Sequence, residues 1–453
     1  MDPHKFEENP NPNAKIAFVT WTPLDYYTYK NVARHLPDSE FVLCDSWFKS
    51  IVKSVEMVDV ANTILLLKKN REHWRVLCCV SPGIDPAMAE NFFARYDLIG
   101  SLRFDSPISS PPLNVFMFKQ KSVLMSYGAG KDLFTFGPWN AMFDVILSDG
   151  LYAERYLKHL SSVYVVGVPK YDDWFSGSVD QDGVKAMRSR LDLKKKTILY
   201  LPTHSISSSL EKFTDSVLGL ADDYNLIVKL HHLNRYVNVN ATEKINKCGD
   251  VIICDERDDI LTLFAVADIV LSDTSSAALE AVLVDKPLVI LDTKEDERTL
   301  TDDKEFVGLF SAPLQSYSKG IENKIKQPGF MVGVVVANPD FLRSGVKSAF
   351  LAHKKYENNR NRLRKMMFAY NDGKCGERSA EIIRKFCEDK IHPELPMLGA
   401  AIRSRFSSTI EWYQRQMLIW REEGKIRNSK KNLKHLSYGE KIKFLIKIIR
   451  KLI

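Results

Sequence analysis

Asp268-Ile-Val-Leu-Ser-Asp-Thr-Ser-Ser-Ala-Ala-Leu-Glu280-Ala-Val-Leu-Val-Asp-Lys-Pro-Leu-Val-Ile-Leu-Asp292 is the stretch on which the fold turns. Ile269 to Leu271 is too short an apolar run for a helix and reads as a buried parallel strand. Ser272 to Ser276 then break the pattern with small polar residues. Ala277, Ala278, Ala281 and Val282 suit a helix packed closely on a sheet, and Lys286-Pro287 stops it. Leu288 to Leu291 is a second strand. The unit is strand, hydroxyl loop, helix, strand. Its loop offers free backbone N–H groups and the hydroxyls of Thr274, Ser275 and Ser276, which suit a phosphate or diphosphate. The competing reading is plain capping of the helix by a Ser/Thr/Asp cluster.

The same alternation runs outward in both directions. Toward the amino end, Thr197 to Leu201 leads into Pro202-Thr203-His204, Leu226 to Leu230 into His231-His232, and Val251 to Ile253 into Cys254-Asp255-Glu256. Helical patterns separate them at Ser207–Leu220 and Asp259–Ala267. Lys15 to Trp21, Phe41 to Cys44, Thr63 to Leu67, Arg75 to Val80, Leu98 to Phe104, Ser122 to Tyr127, Val145 to Leu147 and Val163 to Val168 read as strands of an earlier half. Trp47–Val60 and Pro86–Arg95 read as helices within it. Val179 to Lys196 reads as the connection, and Pro339 to Lys390 as mainly helical. The expectation is an α/β protein of two Rossmann-like, doubly wound parallel-sheet domains with a cleft between them. The boundaries are a polar segment 1–13, a first domain 14–178, a second domain with closing helices 179–390, and a basic helical tail 391–453.

Composition bounds the class. With 453 residues, 45% hydrophobic and 27% charged, the chain can build two full cores and is not a disordered or fibrous sequence. No apolar run approaches the roughly 20 residues of a membrane span. The polar start, Met1 to Asn13, is unlike a secretory signal. Seven cysteines, odd in number and without CxxC spacing, read as reduced thiols. The net charge of +7 belongs to the tail: Arg421 to Ile453 holds eleven Lys/Arg against three Glu. Within it, Ile442, Leu445, Ile446, Ile449, Leu452 and Ile453 share one helical face, opposite Lys443, Lys447 and Arg450. This helix suits the surface of an anionic membrane, and docking on protein is the competing reading. No nucleic-acid motif accompanies the charge.

In an open α/β sheet ligands bind beyond the carboxyl ends of the strands. Four strand ends of the second half carry polar residues there: Thr203/His204, His231/Arg235, Asp255/Glu256 and Thr274 to Ser276. Arg235 and a protonated His231 suit phosphate oxygens. Glu280, one turn into its helix, suits ribose hydroxyls. Singly, each such residue is more often structural or solvated, so their coincidence on successive strand ends carries the functional reading. The adjacent His231 and His232 cannot share a face, and no metal motif is evident.

At these residues the chain resembles a family. Lys229-Leu-His-His232 resembles the K/R-x-H-P motif of the CDP-glycerol glycerophosphotransferases, the teichoic acid polymerases and primases. Ser272-Asp-Thr-Ser-Ser276 resembles their D-x-S-S loop, Asn371 to Arg378 their D-G-x-x-x-E-R signature, and Thr197 to Thr203 their strand ending in Pro-Thr. The layout, with an acid seven residues after Asp273, is also similar to UDP-N-acetylglucosamine 2-epimerase and other GT-B enzymes. The resemblance spans roughly residues 15–386.

It implies a GT-B transferase without metal or cofactor. The transferred group would be a glycerol phosphate, another polyol phosphate or a sugar, carried on a nucleotide diphosphate, CDP-linked by preference. The acceptor would be a hydroxyl on a cell-envelope polysaccharide (capsule or teichoic acid-like) or a lipid-linked acceptor. The enzyme would be cytoplasmic and peripheral at the inner face of the membrane. A GT-B glycosyltransferase, an epimerase and a non-catalytic nucleotide-sugar-binding scaffold are the alternatives. Where the family has a His-Gly motif this chain has Tyr127-Gly128, the Pro after His231 is His232, and His204 follows Thr203. The expected catalytic residues are therefore His231, Tyr127 and His204. Thr274, Ser275, Ser276 and Arg235 would bind donor phosphates, Thr203, Asp255 and Glu280 the nucleotide. Asp25, Lys131 and Asp132 would lie on the acceptor side.

Overall fold

The structure is a computed structural model that describes residues 8–20, 22–44, 55–77, 86–101, 120–125, 136–204, 208–232, 234, 238–273, 275–293 and 331–405. Tyr127, Lys131, Asp132, Arg235, Thr274 and the helix expected over Tyr438–Ile453 lie outside the described residues.

Two parallel sheets form. The first contains β1 (Ile16–Thr20), β2 (Ser39–Cys44), β3 (Trp74–Leu77), β4 (Leu98–Ser101), β5 (Lys121–Met125), β6 (Val145–Ser148) and β7 (Ser162–Val165), in the order β3-β2-β1-β4-β5-β6-β7. The second contains β8 (Thr197–Leu201), β9 (Asn225–Lys229), β10 (Val251–Cys254), β11 (Ile269–Ser272), β12 (Leu288–Leu291) and β13 (Val334–Val336), in the order β10-β9-β8-β11-β12-β13. Every pairing between these strands is parallel, and an isolated antiparallel bridge joins Asn9 to Trp74. Strands such as Ile269-Val-Leu-Ser272 and Leu288-Val-Ile-Leu291 are buried throughout, because helices cover both faces of the sheet. The strands expected from the short apolar runs therefore stand, with ends shifted by a few residues.

One expectation is corrected. Thr63 to Leu67 is not a strand but the middle of a helix, Val55–Lys69. Ile64 and Leu67 are buried and Leu65 is 53% exposed, a three-residue spacing where a strand would alternate.

Each sheet switches direction once: β1 meets β4 in the first, β8 meets β11 in the second. At the second switch Leu201 pairs with Ser272, so Thr203 and Asp273 leave the sheet side by side.

The closing helix, Cys375–Cys387, returns to the first domain. Ala380, Ile383 and Phe386 join the core formed by Phe18, Tyr29 and Phe41. The Asp372–Arg378 motif makes this return possible. Gly373 has φ +73°, and a side chain on Gly376 would collide with the Asn31 carbonyl. Asp172 receives the first amides of the helix, Cys375 N at 2.9 Å and Gly376 N at 2.6 Å, a carboxylate placed against the positive end of the helix dipole. Arg378 pairs with Asp372 and lies over the Tyr370 ring at 4.2 Å.

Candidate active site

The second switch point is built around Asp273. Its carboxylate accepts from Thr203 N (3.0 Å to each oxygen), Ser209 N (2.9 Å) and Ser209 Oγ (2.8 Å), and it is wholly buried. Burial pushes the carboxyl up to about 6 against hydrogen bonds that pull it down. Asp273 thus ties the end of β8 and the start of the Leu210–Leu218 helix to the end of β11. It is a scaffold residue, and Thr203 gives it a backbone amide. The Ser275 hydroxyl accepts from Ala277 N at 3.3 Å and caps the Ser276–Leu283 helix. The capping reading of this loop is therefore realised at Ser275, while Ser276 opens the helix half-buried.

Three imidazoles meet at the ends of β8 and β9. The His204 ring, from the end of β8, lies 4.4 Å from that of His231, from the end of β9, and His231 stacks on His232 at 4.2 Å. The register that sets β8 against β9 brings together two histidines that are 27 positions apart in the chain. Lys229, just before them, does not reach this group. Its ammonium donates to the backbone carbonyls of Asp255 and Asp258, and burial holds it below its usual range. No group of three or more His, Cys, Asp or Glu suited to a metal ion occurs among the described residues.

Asp255 has a structural task. Its carboxylate grips Arg257 at 2.5–3.1 Å; burial opposes its ionisation, the Arg257 bonds outweigh that, and the group is held below its usual range. Its loop touches the first domain: Tyr27 Oη donates to Arg257 O at 2.5 Å, Asn62 to Glu256 at 2.9 Å, and Lys30 reaches Asp259 at 3.4 Å. β10 is an edge strand, away from the switch point. Asp25 is likewise buried in the first turn of the Pro23–Ala33 helix, where it accepts from Thr22 N at 2.9 Å.

Glu280 faces the first domain, and its partner is one the sequence left without a role. Lys170 Nζ bonds both of its oxygens, at 3.0 and 3.1 Å, with side-chain exposures of 7% and 15%. Lys170 comes from the turn after β7, whose Gly167 has φ +89°. Asp149, at the end of β6, completes the group. It is 7% exposed, its carboxylate has no hydrogen-bond partner among the described residues, and burial followed by the Glu280 charge pushes it up to about 7. Asp149 follows an all-buried strand directly, the same signal that marked Asp273, and that signal was available in the sequence.

The architecture is that of known GT-B structures. The wall teichoic acid polymerase TagF, in a variant soaked with CDPG, superimposes with a TM-score of 0.53 at 14% identity over 85% of this chain and 91% of that one. A Staphylococcus aureus (S. aureus) MnaA–UDP structure gives 0.51 at 13% identity over 83% and 97%. A putative UDP-N-acetylglucosamine 2-epimerase from Listeria monocytogenes gives 0.52 at 13% identity over 85% and 99%. At these identities the likeness defines the fold: two Rossmann-like domains of the GT-B class. Residues 148–308 match the family model for CDP-Glycerol:Poly(glycerophosphate) glycerophosphotransferase, about a third of the chain. No curated protein matches the sequence significantly. The family match takes in Asp149, Lys170, all three histidines, Ser275, Ser276 and Glu280. No helix of the described residues is long and apolar enough to cross a membrane.

Proposed function

We propose that this chain transfers a glycerol phosphate, another polyol phosphate or a sugar from a nucleotide-diphosphate donor, CDP-linked by preference. The acceptor is a hydroxyl on a cell-envelope polysaccharide or a lipid-linked acceptor. The observation that carries the reading is positional. The segment matching the glycerophosphotransferase family also holds the strand ends at which His204, His231 and His232 meet, and the loop and helix that carry Ser276 and Glu280. The second domain holds the nucleotide. Ser276 and the imidazoles, with Arg235 and Thr274, offset phosphate charge. His204 or Tyr127 takes the acceptor proton.

For glycerol phosphate transfer, the acceptor oxygen forms a bond to the distal phosphorus and the bridging P–O bond breaks. CMP leaves with the electron pair and the base keeps the proton. For sugar transfer, the anomeric C–O bond breaks and the nucleotide diphosphate leaves. The basic tail holds the enzyme at an anionic membrane surface, on the cytoplasmic side, where a lipid-linked acceptor is presented. Incubation with CDP- and UDP-linked donors and analysis of the released nucleotide tests the proposal. Monophosphate release supports phosphoryl transfer, and diphosphate release supports the glycosyltransferase alternative. Donor binding without release of either would leave a binding scaffold and overturn the enzymatic reading.

A further inference from the structure

Three large apolar side chains stand in solvent on one side of the first domain: Met397 is 90% exposed, Leu398 53% and Leu151 62%. The pleat of β6 shows which side. Val145 and Leu147 join the core that holds the Val55–Lys69 helix, and Ile146 between them points to the opposite face of the sheet. On that opposite face pack the Leu151–Leu157 helix, through Ala153 and Leu157, and helix 397–405, through Ile402. A side chain on Gly399 would collide with the Leu160 carbonyl, so Met397 and Leu398 stand beside the end of the Leu151–Leu157 helix. Arg403 pins this arrangement by donating to Ala141 O at 2.8 Å, Phe143 O at 2.7 Å and Asp144 at 2.9 Å. Ser162 Oγ adds a bond to Glu394 O at 2.9 Å.

The outward side of the Leu151–Leu157 helix is apolar and basic. Leu151, Arg155 and Lys158 recur at spacings of four and three, share one face, and are all exposed. Arg155 and Lys158 make no ion pair among the described residues. Tyr152 and Tyr156 flank the face half-buried, and Phe136 stacks on Tyr156 at 4.9 Å. Glu154, on the other flank, is the one acid of the helix. At its start, Gly150 backs on the Met367 carbonyl, the end of the Glu357–Met367 helix, whose exposed residues include Arg362 and Lys365.

Exposed aliphatic tips, flanking tyrosines and cations not spent on carboxylates suit an anionic bilayer. The tips enter the headgroup region, the tyrosines sit at its level, and the cations meet lipid phosphates. The tail of this chain is a poor occupant. Residues 421–453 hold eleven Lys/Arg against three Glu, and Arg155 and Lys158 repel that charge. The described residues end at Arg405, in the helix that carries Met397 and Leu398, so the tail departs from this same side.

We propose that the face built by Leu151, Arg155, Lys158, Met397 and Leu398 lies on an anionic membrane. This rests on the reading of the enzyme as one that works at a membrane surface. The face begins one residue beyond Gly150 at the end of β6, the carboxyl-end side of the sheet on which the candidate cleft opens. The tail supplies long-range attraction, and the face fixes which way the cleft turns, so that a lipid-linked acceptor meets it along the bilayer.

The test is trace acetylation of lysines on the full chain, read by mass spectrometry with and without vesicles of equal parts phosphatidylcholine and phosphatidylglycerol. Vesicles should protect Lys158 severalfold. They should leave unchanged Lys69, exposed on the helix against the other face of the first sheet, and Lys194, exposed before β8. Arg155→Glu with Lys158→Glu should lower vesicle partition roughly tenfold at low salt. Met397→Ser with Leu398→Ser should lower it roughly tenfold at high salt as well, because apolar burial is not screened. All four side chains are exposed, so urea melts should stay as in the wild type. Co-sedimentation without protection of Lys158, or unchanged partition in both double variants, makes the tail a free tether and overturns this face alone. Protection of Lys158 before vesicles are added shows that protein covers the face, and overturns it too. Failure of the full chain to co-sediment with these vesicles overturns the membrane reading and the face with it.

Discussion

Asp149→Asn is expected to stabilise the protein above neutral pH, and the size of the gain follows from burial. The carboxyl titrates at about 7 in the folded chain and would titrate at about 4 in the unfolded one. A folded-state value above the unfolded one means that the native state binds the proton more tightly. The penalty is therefore absent below about pH 4, grows as pH rises toward 7, and is complete above it. Three pH units correspond to about 4 kcal/mol, an upper bound because water entry and side-chain relaxation reduce it. Asn removes the charge at nearly constant volume, and its buried amide costs about 1–3 kcal/mol if left without acceptors. The net gain at about pH 8 should be about 1–3 kcal/mol; near pH 5, where the penalty is only about 1 kcal/mol, the amide cost should leave the variant equal to the wild type or less stable by up to about 2 kcal/mol.

Urea denaturation of wild type and variant from about pH 5 to about pH 8.5 measures this directly. Asp173, Asp255 and Asp285 are held below their usual range and lose stabilising interactions as pH falls, but they do so equally in both proteins. The difference between the two curves isolates Asp149. A gap that fails to widen with pH would refute the reasoning.

Ser276→Ala and His231→Ala should each weaken donor binding by about 1–3 kcal/mol, the range for a charge-assisted hydrogen bond, read by calorimetric titration; wild-type affinity in both would remove them from the phosphate site. Asp273→Ala leaves the buried donors of Thr203 and Ser209 unpaired and should cost about 3–5 kcal/mol in urea melts; a loss below about 1 kcal/mol would show that the loop does not depend on this anchor. A chain ending near Gly424 should stay folded and bind donor as the full chain does, while losing co-sedimentation with anionic vesicles, where each tail Lys or Arg contributes on the order of 1 kcal/mol. Equal vesicle binding by the two would rule out the anchor.

Much of the second domain was legible because buried parallel strands carry a local signature. β8, β11 and β12 are short apolar runs bounded by polar loops, and each was readable within a few residues. The Val55–Lys69 helix was not, because the Thr63–Leu67 run is apolar at every position but the first and hides its period until burial is known. The hydroxyl loop after β11 was legible as a loop, but the division of labour within it was not. Asp273 anchors and Ser275 caps; the cap is local, but the anchor cannot be assigned without Thr203 and Ser209, which follow β8. His204 and His231 were both legible as strand-end residues, and the register of β8 against β9 supplied their contact. The pairing of Lys170 with Glu280 did not, because it joins positions 110 residues apart through two different sheets.

That cross-domain pairing also explains why the closing helix matters to the site. Lys170 sits on a turn whose Pro169 carbonyl receives Asn31 Nδ2 at 2.7 Å, and the same Asn31 backbone meets Gly376. Two residues further along from Lys170, Asp172 caps the helix that Cys375 and Gly376 begin. Asp173 binds Lys30 at 2.9 Å and Arg34 at 2.6 Å, and Lys30 continues to Asp259 of the second domain. The turn that aims Lys170 at Glu280 is therefore clamped from three sides: the first helix, the closing helix and, through Lys30, the loop after β10. Movement of one domain against the other would have to break the Lys30–Asp259 and Tyr27–Arg257 contacts at the same time as it separated Lys170 from Glu280. The Asp372–Arg378 signature, remote from the imidazoles in sequence, thus acts on the candidate site by fixing where Lys170 stands.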